Sequence, residues 1–178
     1  GMVTIGGMEM GDTKFVIPNE VVREQIFSYL LDTYEENDLT FDSSDIRTKE
    51  KYMAYRGEFK PFFQYIADCI YTFSSQRDRQ KGEAFVHGFT LALTSQYRFY
   101  RPISELDNQN GYADVFLRPR CEIFTDMEHS YIIELKYLKS NATEAEVKAA
   151  VKQAEAQVCR YADTVNVNDN IGHTTLHK

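Results

Sequence analysis

Tyr131-Ile132-Ile133-Glu134-Leu135-Lys136-Tyr137 is an apolar run that carries one acid and one base two residues apart. Successive side chains of a strand point to opposite faces, so Glu134 and Lys136 share one face and Ile133, Leu135 and Tyr137 the other. The wealth of β-branched and aromatic residues predicts a strand over 131–138. Taken alone, the acid–base pair is also what a solvated face or a simple ion pair would show. Twenty residues upstream, Tyr112-Ala113-Asp114-Val115-Phe116-Leu117 predicts a second strand, ended by Pro119. Asp is disfavoured inside strands, and a buried carboxylate is costly unless it is paired or coordinates a metal. Two strands therefore each hold a carboxylate where packing favours an apolar side chain. As hairpin neighbours, Asp114 and Glu134 converge on one point, and hard oxygen ligands of that kind suit Mg²⁺ or Mn²⁺.

Working outward, residues 97–103 alternate as a strand, and Asn108-Gln109-Asn110-Gly111 is turn chemistry before the Asp114 strand. Residues 82–94 are apolar almost all round, which marks a buried helix. Downstream, Thr143 and Glu146 form a capping box, and Val147, Val151, Ala154, Val158 and Tyr161 follow at helical spacing to about 162. Helix, strands and helix in that order read as α/β or α+β. The first part of the chain is different. A short strand over 14–17 is stopped by Pro18, and Asn19 caps a helix with Val22, Ile26, Tyr29 and Leu30 on one face. Residues 37–45 form a polar connection, and Phe59, Phe62, Phe63, Ile66, Ile70 and Phe73 recur at helical spacing as core. The polar stretch 74–80 divides a helical arm over 1–75 from an α/β domain over 76–178.

Composition bounds the function class. The chain has 178 residues, a net charge of −7, 43% hydrophobic and 26% charged residues, an ordinary globular balance that sets aside disorder and coiled coil. No apolar run reaches the length of a membrane span. Cys69, Cys121 and Cys159 are an odd number at wide spacing, which suits reduced thiols and a cytoplasmic setting. Charge is uneven: residues 19–50 carry nine acids against three bases, whereas residues 76–120 carry seven bases against five acids. Arg77, Arg79, Lys81, Arg98, Arg101, Arg118 and Arg120 thus leave room for a phosphate-binding surface on an acidic protein. No Walker A, G-x-G-x-x-G or G-x-S-x-G motif is present.

The pattern Gly111-Tyr112-Ala113-Asp114, then Ile133-Glu134-Leu135-Lys136, resembles the PD-(D/E)XK nuclease superfamily. Glu83-Ala84-Phe85-Val86-His87-Gly88-Phe89 and the helix around Gln153 to Tyr161 resemble the branch found behind AAA-ATPase-like domains. Phe15-Val16-Ile17-Pro18-Asn19-Glu20-Val21-Val22-Arg23 is similar to the tail of such an ATPase region, so the likeness runs from about 14 to 164. It implies a three-layer restriction-endonuclease-like core, a central mixed sheet flanked by helices, carrying the helical N-terminal arm. It implies Asp114, Glu134 and the Leu135 carbonyl as metal ligands, Glu83 as an acidic partner that ligates directly or through water, and Mg or Mn as cofactor. Lys136 would orient the attacking water or offset phosphorane charge, and Gln157 would support the site from the last helix. The implied function is metal-dependent hydrolysis of DNA or RNA, DNA ahead of RNA, with an AAA-ATPase-like domain of a parent chain as partner. The competing reading is a catalytically inert nuclease-fold module that binds nucleic acid or protein within an ATPase assembly.

Two features depart from that family's pattern. Tyr112-Ala113 stand before Asp114 where the family has a Gly-Arg pair. Only 174–177 follow the polar stretch 163–172 as a final strand, which predicts an open sheet edge and a homodimer formed across it or through the arm. His87, four residues after Glu83 on one helix face, reads as a satisfied, half-buried histidine, and His129, His173 and His177 as incidental.

Overall fold

The computed structural model describes residues 2–36, 41–76, 83–108, 111–136, 138 and 141–178. A hairpin of β1 (Thr4–Glu9) and β2 (Asp12–Val16) precedes helices α1 (Glu20–Glu36), α2 (Ser43–Arg56) and α3 (Lys60–Gln76). Helix α4 (Glu83–Thr94) then leads into β3 (Tyr100–Asn108), β4 (Gly111–Pro119) and β5 (His129–Ile133). The chain continues through α5 (Glu144–Ala162) and the short α6 (Val165–Asn168) to β6 (Thr175–His177). The last four strands form one mixed sheet in the order β3-β4-β5-β6, antiparallel except for the parallel β5–β6 pair. Parallel neighbours need a crossover, and α5 supplies it.

The strict alternation in β4 sets the layers. Val115 and Leu117 face one cluster together with Tyr131, while Phe116 faces a second with Ile132 and with Val158 and Tyr161 of α5. Helices thus cover both sides of the sheet, the three-layer α/β arrangement expected. The N-terminal helices of the expected arm belong to the first of these clusters: Leu31, Ile46, Met53, Ala54, Phe62 and Ile66 are buried with Phe89, Leu93 and Leu117. The Tyr131 hydroxyl donates to the Met53 carbonyl at 2.7 Å, and Tyr34 meets Phe85 and Phe89 edge to face. These helices form an outer layer on the sheet.

Several elements differ from expectation. β1 and α2 have no counterpart in the sequence reading. The signals for α2 were its caps: Asp42 accepts from the Ser44 and Asp45 main-chain N–H groups, and Gly57 at φ 70° supplies the left-handed residue that ends the helix. β3 begins at Tyr100, not at 97, because Arg98 adopts φ 63°, which breaks an extended chain. β5 ends at Ile133, short of 138, for a reason that lies in the site below. The Thr143–Glu146 capping box forms as expected, and β6 is three residues long. Among the described residues, no helix is long and apolar enough to cross a membrane.

Candidate functional site

The β4–β5 register pairs Leu117 with Tyr131, Phe116 with Ile132 and Val115 with Ile133. One further step sets Asp114 opposite Glu134, and alternation turns both toward the α5 layer that receives Phe116 and Ile132. The strand stops there because Asp114 intervenes. Its Oδ2 accepts the Leu135 main-chain N–H at 2.6 Å, a short charge-assisted bond that takes the donor a longer strand would spend on its neighbour. Glu134, Leu135 and Lys136 therefore follow β5 as an anchored extension instead of lying within it.

Lys136 Nζ lies 2.5 Å from Glu134 Oε1. The Glu134 side chain is only 4% exposed and that of Lys136 27%, so the pair is half-sunk at the sheet edge. The second carboxylate oxygen, Glu134 Oε2, is buried without a hydrogen-bond partner among the described residues. An unpartnered buried oxygen is destabilising by roughly 1–3 kcal/mol, more for a charged group, and calls for an explanation. A divalent cation is a sufficient one. Two carboxylates at successive ends of paired strands are a hard donor set of the kind that suits Mg²⁺ or Mn²⁺, ions that usually keep several waters beside one or two protein carboxylates. Among the described residues no group of three or more His, Cys, Asp or Glu gathers, so Asp114 and Glu134 are the acidic side chains such a site has here.

The other expected site residues divide. Leu135 is tied to Asp114 through its N–H, which fixes the main chain whose carbonyl was expected to ligate. Glu83 opens α4, but its side chain lies outside the described residues. Gln157 is half-buried on α5; its Nε2 donates to the Tyr161 hydroxyl at 3.5 Å, within its own helix, and its Oε1 is buried without a partner among the described residues. Asp114, Glu134, Leu135 and Lys136 are thus brought together, whereas the hydrogen bond of Gln157 stays on α5.

Two contacts were not read from the sequence. His87 Nε2 lies 2.9 Å from the Asp114 carbonyl, so that nitrogen carries the proton and donates, pinning α4 to β4 at the carboxylate's own backbone. The signal was the Glu83–His87 spacing, which sets both on one helix face. His129 and His177, expected as incidental, meet across the parallel β5–β6 pair with His177 Nε2 and His129 Nδ1 2.9 Å apart, and the His177 ring stacks on Tyr131. Burial first, and the neighbouring His129 second, lower the pKa of His177.

The expected basic surface is largely committed to other partners. Arg98 pairs with Glu24 at 2.6 Å, Arg101 with Glu20 at 3.1 Å and Arg120 with Glu24 at 3.8 Å, all from the acidic α1. Arg118 approaches Glu122 at 4.0 Å, while Arg77, Arg79 and Lys81 lie outside the described residues.

Comparison with known proteins adds one match. A family model described as PD-(D/E)XK nuclease superfamily covers residues 81–177, more than half of the chain. No curated protein and no solved structure matches it.

Proposed function

We propose that this chain, which belongs to the PD-(D/E)XK nuclease superfamily, is a Mg²⁺- or Mn²⁺-dependent nuclease acting on phosphodiester bonds of DNA or RNA. The observation that carries the reading is the buried, unpartnered Glu134 Oε2 opposite Asp114. Asp114 and Glu134 would hold the ion, with the Leu135 carbonyl and Glu83 as further ligands. When bound, a divalent cation lowers the pKa of its water and offsets negative charge on the phosphate. The chain's own groups do the rest. The hydrogen bonds from Leu135 N–H and from His87 fix Asp114 at its carboxylate and at its carbonyl, so the ligand does not have to be ordered during turnover. Lys136 presents an ammonium beside Glu134, from which it donates to a water or a phosphate oxygen as charge builds. Gln157, with a buried oxygen on α5 that has no partner among the described residues, would orient groups from the opposite layer.

The finer assignments are part of the same proposal. DNA is the first substrate to test, and residues 1–75 serve as the helical companion that joins the nuclease domain of 76–178 to an AAA-ATPase-like domain in a cytoplasmic parent protein. A homodimer is a further part of the proposal, with light scattering as its check. One observation favours the inert binding module instead: three arginines of the basic stretch are already paired with α1.

A single assay separates the two. Supercoiled DNA, single-stranded DNA and RNA are incubated with Mg²⁺, Mn²⁺ or EDTA, using wild type, Asp114→Asn and Glu134→Gln. Cleavage confined to the metal-containing wild-type reactions is the expected result. Undiminished cleavage in EDTA or in both variants would sink the metal-dependent site, and absence of cleavage with retained binding would select the inert module.

A further inference from the structure

We propose that the cleft beside Glu134 and Lys136 receives an unpaired nucleobase, so that the enzyme's substrate is a single strand, flap or frayed end rather than continuous duplex. This rests on the nuclease reading above and specifies its substrate. The cleft has a volume of about 470 Å³, within the range of small-molecule sites. Phe59, just before α3, and Phe63 of α3, with Tyr131 and His177, form one wall. Three of these rings already stand as a cluster, Tyr131 stacked on His177 at 4.9 Å and Phe59 at 5.8 Å from His177. Val147 and Val151 of α5 form the other wall, 41% and 52% exposed, an apolar rim that folding alone leaves in water.

The floor explains why a base fits better than a plain hydrocarbon. β6 pairs with β5 only at His129, Ser130 and Tyr131, and the cleft continues along Ile132, Ile133 and Glu134. The Glu134 carboxylate and the Lys136 ammonium bring charged groups to that floor, able to meet the hydrogen-bonding edge of a base. Apolar walls, aromatic faces and a polar floor are the combination by which proteins hold unstacked bases. Glu134 and Lys136 line the same cleft. A phosphate that reacts at this pair carries its own nucleotide's base toward the cleft, and a base locked in a duplex stack cannot follow it.

The test uses a 5′-fluorescein single strand, the same strand with one abasic residue next to the scissile position, and the blunt duplex. Affinity is measured by anisotropy with Ca²⁺ replacing Mg²⁺, and cleavage with Mg²⁺. Val151→Trp fills the cleft from an exposed position outside the catalytic set, and Val151→Ala is the size control, with thermal melts to show that both fold. The intact single strand should bind roughly tenfold tighter than the duplex, since stacking one base contributes on that scale. The abasic strand and Val151→Trp should each remove about that factor, and together no more than either alone. Metal-dependent cleavage with no abasic penalty and no effect of Val151→Trp would overturn the pocket and leave the nuclease standing. A change in oligomeric mass in Val151→Trp, without an abasic penalty, would assign the cleft to a second copy and also overturn it. Failure of every substrate to be cleaved, with Asp114→Asn indistinguishable from wild type, would remove both.

Discussion

The side chains of Glu134 and Glu50 are both buried, and they are buried differently. Glu134 extends from the end of β5 with the Lys136 ammonium at 2.5 Å and one oxygen unpartnered among the described residues. Glu50, on α2 in the helical layer, is fully buried with neither oxygen partnered among the described residues, and burial raises its pKa well above the usual carboxyl range. Its charge would reach Tyr97 and Tyr100, whose phenols it helps to push up. A carboxyl with no cation beside it resolves burial by keeping its proton, and a protonated acid makes a poor metal ligand. At Glu134 the Lys136 ammonium meets the first oxygen and leaves the second to be offered. Burial of an acid therefore does not mark a site; its company does.

That contrast predicts its largest effect in catalysis. Glu134→Gln should lower metal-dependent cleavage by at least about a hundredfold, since losing even a supporting partner of a metal ligand costs 10–100-fold. Glu50→Gln should leave the rate unchanged. A folded Glu50→Gln variant that is equally dead would break the distinction, and titration of Mn²⁺ binding by calorimetry would show which acid holds the ion.

Lys136→Ala tests the company directly. Loss of one preorganised donor to developing charge typically lowers turnover by roughly 10²-fold, so kcat should fall on that scale while Mn²⁺ affinity persists. Lys136→Arg should recover part of the rate. If instead metal binding disappears with the rate, Lys136 serves to keep Glu134 in place and the pair is structural.

Glu50 predicts a stability effect with a definite sign. The unfolded carboxyl ionises near its ordinary value of 4.5, whereas the folded one holds its proton to much higher pH. The contribution is fully present below about pH 4.5 and is lost as pH rises toward the folded pKa, at up to about 1.4 kcal/mol per pH unit. Urea melts from pH 5 to 8 should show wild type losing stability relative to Glu50→Gln along that slope. Parallel curves would mean that Glu50 is charged and has found a partner.

The sequence made the sheet and α5 legible because their signals are local: alternation around Val115-Phe116-Leu117, a Thr143–Glu146 capping box, apolar residues at helical spacing. The carboxylates of the candidate site were legible for the same reason, as wrong residues in apolar strands. The end of β5 was not, because apolar alternation runs on to Leu138 while the strand is stopped by a side chain twenty residues away, Asp114. α2 escaped because its inward face is narrow, carried by Ile46, Met53 and Ala54 with an acid, Glu50, among them. That same acid shows the limit of pattern reading: on a helical wheel Glu50 is one more charge in an acidic stretch, and only packing reveals it as core. The arginines of residues 98–120 were counted correctly, but their pairing with α1 was not legible, since charge counts carry no pairing.

Those arginines give the smallest effect and the sharpest check on the charge ledger between α1 and the sheet. Arg98 and Arg101 are 63% and 41% exposed, and exposed pairs contribute about 0–1 kcal/mol each, so removing their partners should barely change stability. The double variant Glu20→Gln/Glu24→Gln frees Arg98, Arg101 and Arg120 from α1 together. If this face lies along the path of nucleic acid, non-specific affinity should rise a few-fold at low salt, and log K against log salt should steepen by roughly 0.7–0.9 for each phosphate gained. Fluorescence anisotropy across a salt series reads both quantities in one experiment. An unchanged slope would mean that the arginines serve only to clamp α1 onto the sheet, and that whatever holds the phosphate backbone lies nearer to Lys136.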